Sequence, residues 1–216
     1  MPNWCDCDLE VDGDEESVAL FEKVATGGKG HDGEVIPITL DNLFPMPKEL
    51  VKTRSPAPSL FDLLYPEQAG KGRMKAKEML AYDWVKEAGV TTTEGLIELI
   101  KKKEPEVEAD CAKRLENIER FGHGDWYSWC IANWGTKWGL CEPRLDNSFC
   151  ADLGYGFSTA WAPPLAAFDK IARDWARLKF TLRYFESGMG FNGVVVWKDG
   201  ERIVDESGDY FGNRGG

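Results

Sequence analysis

The chain has 216 residues and a formal net charge of −11, with 43% hydrophobic and 29% charged residues. At roughly 150 residues per domain, this length allows one large domain or two small ones, and the composition excludes a disordered, collagen-like or coiled-coil chain. No apolar run approaches the roughly 18–20 residues of a membrane span. The first residues also lack the basic and apolar regions of a secretory signal. We therefore predict a globular cytoplasmic protein without a membrane partner.

The negative charge is concentrated in the first part of the chain. Residues 1–125 hold 26 acidic and 16 basic side chains, whereas residues 126–216 hold 11 and 10. Because nucleic-acid binding needs a basic face that releases counterions, we do not expect nucleic acid as a main partner. A small anionic ligand in one local pocket is compatible with this charge distribution.

Six cysteines occur without an export signal, which is typical of reduced thiols. The sequence has no Cys-x-x-Cys pair and only two histidines, so we predict no metal site. Phosphate-binding and dinucleotide-binding glycine motifs are absent as well, and we predict no cofactor.

The first segment alternates apolar and acidic residues from Cys5 to Asp12, a period of two that predicts a half-buried β-strand. Asp14 can cap a helix in which Val18, Phe21 and Ala25 share one face. A strand over residues 35–40 would follow, so the chain is predicted to open with a β-α-β unit.

The middle of the chain is predicted to be helical. Residues 52–59 form an irregular connector, and helices are predicted over 73–88 and from Thr91–Thr93 to Lys103. A third helix carries an apolar stripe at positions 107, 111, 115 and 118. We predict a helical insertion over residues 60–125.

The last third returns to strands. A hairpin is predicted between residues 137–145 and 148–161, and a helix after Pro163-Pro164. Strands over 179–186, 191–197 and 201–206 follow, the last two joined by a turn at Asp199-Gly200. The predicted fold class is α+β: a ferredoxin-like antiparallel or mixed sheet with helices on one face. This core would comprise residues 1–50 and 126–216.

Five of the nine tryptophans fall in residues 126–161. Aromatic rings with a few polar groups are typical of small-molecule pockets, and Lys137 could meet a phosphate or carboxylate. The alternative is that these tryptophans fill the interior. The predicted ligand-binding residues are Tyr127, Asn133, Trp134, Thr136, Lys137, Trp138, Thr159, Trp161 and Glu186.

Catalytic motifs match poorly, and we favour a protein that is not an enzyme. His123 could act as a general base with Asp125 as its orienting group, although a surface-loop histidine is the simpler interpretation. Glu186 could pair with Lys137, as an ion pair or an acid/base couple, of which the ion pair is favoured.

Several short motifs together resemble the YubB-like family, uncharacterised proteins of conjugative plasmids and bacteriophages. The motifs are Met1–Cys5, Phe44-Pro45-Met46-Pro47, Trp126-Tyr127 with Trp129, Asn133–Trp138, Phe157-x-Thr159-Ala160-Trp161-x-Pro163-Pro164, Tyr184-Phe185-Glu186-x-Gly188 and Phe191-x-Gly193. Cys7 and Ala162 depart from the asparagine and serine usual at these positions. The resemblance implies a ferredoxin-like C-terminal domain and a mobile-element origin, but no reaction.

Three functional hypotheses follow. The leading one is a non-enzymatic phage or plasmid protein that sequesters a small, nucleotide-like host ligand through an aromatic pocket. The second is an inhibitor of a host protein that acts through its acidic helices. The third is an uncharacterised hydrolase that uses His123 or Glu186.

Overall fold

The computed structural model describes residues 3–30, 33–68 and 74–212. The chain divides into two compact units, residues 1–46 with 130–216 and residues 47–129. The division into a core of residues 1–50 and 126–216 and a helical insertion of residues 60–125 stays a prediction. Within the described residues, no helix combines the length and apolar character needed to cross a membrane.

The elements in chain order are β1 (Trp4–Asp12), α1 (Glu15–Ala25), α2 (Leu40–Leu43), α3 (Lys48–Val51), α4 (Ser59–Leu64), α5 (Ala76–Met79), α6 (Asp83–Glu87), α7 (Thr93–Lys103), α8 (Val107–Phe121), α9 (Trp126–Asn133), β2 (Cys141–Leu145), β3 (Leu153–Ala160), α10 (Leu165–Asp174), β4 (Lys179–Glu186), β5 (Phe191–Lys198) and β6 (Glu201–Asp209). Helix α9 runs from the second unit into the first.

The first unit is built on a six-stranded sheet in the order β2-β3-β1-β4-β5-β6. Each pair of neighbouring strands is antiparallel. Phe21 of α1 and Phe168 of α10 both contact the ring of Phe180 on β4, so both helices cover the same face. The predicted α+β class and its antiparallel sheet are confirmed.

The acidic row of β1 lies on the opposite face of the sheet. The Glu10 carboxylate lies 2.6 Å from Arg183, and the Asp12 carboxylate lies 3.1 Å from Lys179. The alternation of β1 therefore separates a buried apolar row from a row that pairs with basic side chains of β4.

The first predicted helix is confirmed, but the predicted strand over residues 35–40 is wrong. The Asp14 carboxylate accepts from the Ser17 N–H at 2.9 Å and caps α1. Residues 35–40 contribute only an isolated bridge from Val35 to Lys29 among the described residues. Pro37 has no N–H for a ladder, and the Thr39 hydroxyl accepts from Asp41 N to begin α2.

The second unit is helical. Thr92 caps α7 by accepting from Gly95 N at 3.1 Å, and Gly122 ends α8 with a left-handed φ of 73°. The predicted helices that end at Lys103 and carry the stripe from residue 107 are thus confirmed. The core comprises Leu60, Phe61, Met79, Val85, Leu96, Ile100, Val107 and Cys111.

The helix predicted over residues 73–88 is divided into α5 and α6, and residue 73 lies outside the described residues. Tyr82, between the two helices, has an extended backbone with φ −68° and ψ 141°. Tyr82 therefore interrupts the helical hydrogen bonding that the composition of this segment favours.

The strands predicted over 179–186, 191–197 and 201–206 are confirmed as β4, β5 and β6, and the predicted hairpin is present but shorter, because residues 137–140 and 148–152 lie outside β2 and β3. Asp199 and Gly200 have φ values of 53° and 80°, as a two-residue hairpin with both central residues left-handed requires. This turn joins β5 to β6, one of the two edge strands of the sheet.

Candidate functional site

Lys137 lies in the loop between α9 and β2, with its side chain half-buried. Its Nζ atom is 4.6 Å from the centroid of the Trp138 ring and 4.9 Å from that of the Trp161 ring. Indole faces attract cations through their quadrupole, so the two rings stabilise the ammonium there. Within the described part of the chain, no carboxylate forms an ion pair with Lys137.

Two further tryptophans complete this arrangement. Trp4 of β1 lies 6.4 Å from Trp138 between ring centroids. Trp161 directly follows β3, is 42% exposed and has a left-handed φ of 68°. Its backbone N–H donates to the carbonyl of Asn3 at 2.9 Å, which ties it to the chain just before β1. We call Trp4, Lys137, Trp138 and Trp161 the indole surface.

A set of buried hydrogen bonds holds the two loops of the indole surface together. The Thr136 hydroxyl donates to the carbonyl of Ala160 at 3.0 Å, which joins the neighbours of Lys137 and Trp161. The Thr159 hydroxyl donates to the carbonyl of Ala162 at 2.8 Å and closes the turn around Trp161. Both threonines are buried, and their side chains serve the fold.

Trp134 and Gly135 anchor the same loop, Trp134 to the residue after α2 and Gly135 beside the start of α10. Trp134 is buried, and its Nε1–H donates to the carbonyl of Phe44 at 2.9 Å. Gly135 has a φ of 81°, and a Cβ there would lie 3.4 Å from the carbonyl of Pro163. The loop therefore needs a glycine beside the first turn of α10.

Glu186 does not pair with Lys137, so that predicted ion pair is wrong. Its buried carboxylate accepts from the backbone N–H groups of Gly188 at 2.9 Å and Met189 at 2.5 Å. These bonds satisfy the carboxylate within the turn that joins β4 to β5.

The remaining predicted residues lie elsewhere in the fold. Tyr127 is half-buried in the second unit, with its ring edge-on to Trp126 at 5.7 Å. Asn133 is half-buried in the first unit and ends α9.

The predicted pair of His123 and Asp125 does not form. The Asp125 carboxylate accepts from Arg114 Nη1 at 2.6 Å and from Ser128 N at 2.8 Å. Among the described residues His123 has no hydrogen-bond partner. Asp125 therefore serves to cap α9 and to neutralise Arg114.

Side chains that could hold a metal ion do not come together in the described part of the chain. Cys7 of β1 is buried, and its Sγ lies 3.8 Å from the Thr159 hydroxyl. Burial raises the pKa of the Cys7 thiol well above its ordinary value. The thiol is therefore protonated at neutral pH and is a poor metal ligand or nucleophile.

Trp4 is not among the residues that the sequence predicts for the site. In β1 this ring occupies the row of alternate positions that otherwise carries acidic residues. An aromatic residue in an acidic, outward-facing row is the signal that could have identified it.

Comparison with known proteins identifies the C-terminal part of the chain. Residues 142–213 match the family model described as a ferredoxin-like domain in Api92-like protein. The match begins within β2 and extends past β6, so the last five strands and α10 have a ferredoxin-like relative. The predicted ferredoxin-like C-terminal domain is thus confirmed.

A similar solved structure is the crystal structure of the protein Api92 from Yersinia pseudotuberculosis. It is 14% identical, with a TM-score of 0.49, and the similarity covers 99% of each chain. A search of the curated proteins finds no match.

Proposed function

We propose that this protein is a non-enzymatic binding protein that holds a small, planar anion of nucleotide type on its indole surface. The observation that carries the proposal is the ammonium of Lys137 between the rings of Trp138 and Trp161, without a carboxylate partner among the described residues. An ammonium with no carboxylate of its own favours an anionic ligand.

The chemistry of the surface selects a ligand with two parts. A phosphate or carboxylate would accept hydrogen bonds from Lys137, because an ammonium has three donors. A planar ring would stack on Trp161, whose indole is 42% exposed. A purely apolar ligand would remove the ammonium from water without compensation, and a cationic one would be repelled.

The other predicted residues have different parts in this proposal. Thr136, Thr159 and Trp134 would hold the loops of the indole surface, because their polar atoms bond to backbone carbonyls. Asn133 and Tyr127 stay predicted contacts.

The setting is part of the proposal and rests on the motif resemblance alone. A protein of a phage or plasmid would act in the cytoplasm of the host cell, where nucleotide signals are available to sequester. The ligand class follows from the indole surface and does not depend on this setting.

The proposal is tested with the full-length protein. Denaturation followed by mass spectrometry of the released molecules would detect a ligand that co-purifies. Thermal-shift measurements with a panel of mono-, di- and cyclic nucleotides would find one that binds reversibly. Quenching of tryptophan fluorescence gives the affinity.

Two variants and two matched controls localise the binding. Trp161→Ala and Lys137→Gln should each weaken nucleotide binding by about tenfold or more, since each removes a stacking or charged contact. Tyr82→Ala removes an aromatic ring of similar exposure (43%), and Lys102→Gln removes an exposed charge, both in the other unit. If no nucleotide is released or bound, or if the controls weaken binding equally, the proposal fails.

A further inference from the structure

The second unit contains a cavity of about 140 Å³ whose lining is rich in basic side chains. Lys52, Arg54, Lys113 and Arg114 line it, together with the acidic residues Glu49 and Asp110. The lining thus holds four cationic side chains against two carboxylates, although Arg54, Lys113 and Arg114 also pair with acidic side chains outside the lining. Several guanidinium and ammonium donors in one lining favour an anionic occupant.

The cavity is framed by the loop after α3 and by helix α8. The loop is held at Thr53, whose hydroxyl accepts from Trp126 N at 2.9 Å and donates to the carbonyl of Leu50 at 2.6 Å. Opposite, Gly124 allows Arg114 to approach closely, because a Cβ there would lie 2.7 Å from Arg114 Cγ. These contacts therefore hold in place the backbone from which the cationic side chains extend.

Arg114 is the best-anchored cation of the cavity. Its guanidinium is fixed by Asp125 at 2.6 Å and by the ring of Phe61, whose centroid is 5.3 Å away. Its Nε atom is buried and has no acceptor among the described residues. Arg114 is therefore a fixed cation of the lining.

The other cations are available to a ligand. Lys52 forms no ion pair among the residues that the structure describes. Arg54 and Lys113 pair with Glu104 and Glu116, and all four side chains are about half exposed. Such exposed pairs contribute little and rearrange readily.

The two carboxylates of the lining differ in their effect. Glu49 lies 2.8 Å from Arg120 and is neutralised by it. Asp110 has no ion-pair partner among the described residues, so its charge opposes an anion in the cavity. Removing the charge of Asp110 should therefore strengthen anion binding, whereas removing the charge of Lys52 should weaken it.

We propose that this cavity binds a phosphate group, either inorganic phosphate or the phosphate of a small monoester. A volume of about 140 Å³ has room for one tetrahedral oxyanion. Guanidinium and ammonium groups are the side chains that bind phosphate oxygens. This site lies in the unit that does not carry the indole surface, and it is independent of the proposed function.

The experiment is isothermal titration of the full-length protein with inorganic phosphate and, separately, phenyl phosphate, at constant ionic strength. Lys52→Gln should weaken binding about fivefold or more, and Asp110→Asn should tighten it about threefold or more. Lys102→Gln, the matched exposed lysine outside the lining, should leave the affinity within about twofold, because a distant exposed charge is screened by salt.

The outcomes separate the alternatives. Tighter binding of phenyl phosphate would identify an esterified ligand, tighter binding of inorganic phosphate would identify the free ion, and either supports the cavity. Absence of binding up to about 10 mM overturns it. Equal losses in Lys52→Gln and Lys102→Gln also overturn it, as does a loss in Lys137→Gln alone, which would move the phosphate to the indole surface.

Discussion

Arg114 and Asp125 form a largely buried ion pair, with Nη1 of Arg114 2.6 Å from Oδ2 of Asp125. The same carboxylate accepts from the N–H of Ser128 and caps α9. One aspartate thus neutralises a cation of α8 and begins the next helix, so it connects the two helices through its two oxygens.

Asp125→Asn should therefore destabilise the protein strongly. Asparagine is also a good N-cap, so the variant keeps the cap of α9 and loses only the charge that compensates Arg114. Leaving a buried charge without its partner costs about 3–5 kcal/mol. Urea denaturation followed by tryptophan fluorescence measures the change. Glu116→Gln removes an exposed partner of Lys113 and Arg120 and should cost less than about 1 kcal/mol. Similar losses in the two variants would contradict the assigned role of Asp125.

Two glycines of β3 should respond differently to alanine. A Cβ on Gly154 would lie 2.4 Å from the carbonyl oxygen of Asp146, whereas one on Gly156 would meet the guanidinium of Arg144 at 2.6 Å. Backbone cannot yield as a flexible side chain can, so Gly154→Ala should cost about 1–3 kcal/mol and Gly156→Ala less. Thermal unfolding of both variants tests this order, and the reverse order would contradict it.

The cap of α1 predicts a pH dependence. The hydrogen bond from Ser17 holds the pKa of Asp14 below its ordinary value of 3.8. The cap therefore contributes fully above pH 3.8, and its contribution is lost as pH falls through the lower pKa of the folded state. In the variant Asp14→Asn, the side-chain amide oxygen can still cap the helix, but the amide does not titrate. The stability of the native protein relative to this variant should therefore stay constant from about pH 7 to about pH 5 and fall as pH drops through 3.8 and below, as thermal unfolding by circular dichroism would record.

Thiol labelling should separate the cysteines by burial. Cys150 is exposed, whereas burial raises the pKa of Cys111 to about 11 and the pKa of Cys7 well above its ordinary value. A thiol reagent at about pH 8 should therefore modify Cys150 rapidly and the other two only after unfolding. Mass spectrometry of digested samples identifies the labelled positions. Rapid native-state labelling of Cys7 would contradict its placement.

Local signals predicted much of the first unit. Two of these features depend only on residues adjacent in sequence, and both are confirmed: the alternation from Cys5 to Asp12 and the Asp199-Gly200 turn. The strand over 35–40 failed because apolar spacing alone does not reveal that Thr39 caps a helix. Helix α9 was missed because its aromatic residues show no single apolar face, although Asp125 and Ser128 supply a cap.

The candidate site was predictable in composition but not in geometry. Lys137 and Trp138 are adjacent in sequence, and their meeting with Trp161 was expected from residue type. The contact with Trp4 depends on strand β1 lying beside β3, a long-range pairing that residue spacing does not encode. For Glu186, the backbone donors of a turn replaced the expected side-chain partner, and residue types cannot show this.

The left-handed backbone of Trp161 has an energetic consequence. A bulky L-residue in this region loses roughly 1–2 kcal/mol relative to ordinary backbone, and Trp161 has a φ of 68°. Asparagine tolerates the same φ at lower cost. Trp161→Asn should therefore affect folding stability and ligand affinity differently. It would relax the main chain and remove the ring on which the ligand would stack.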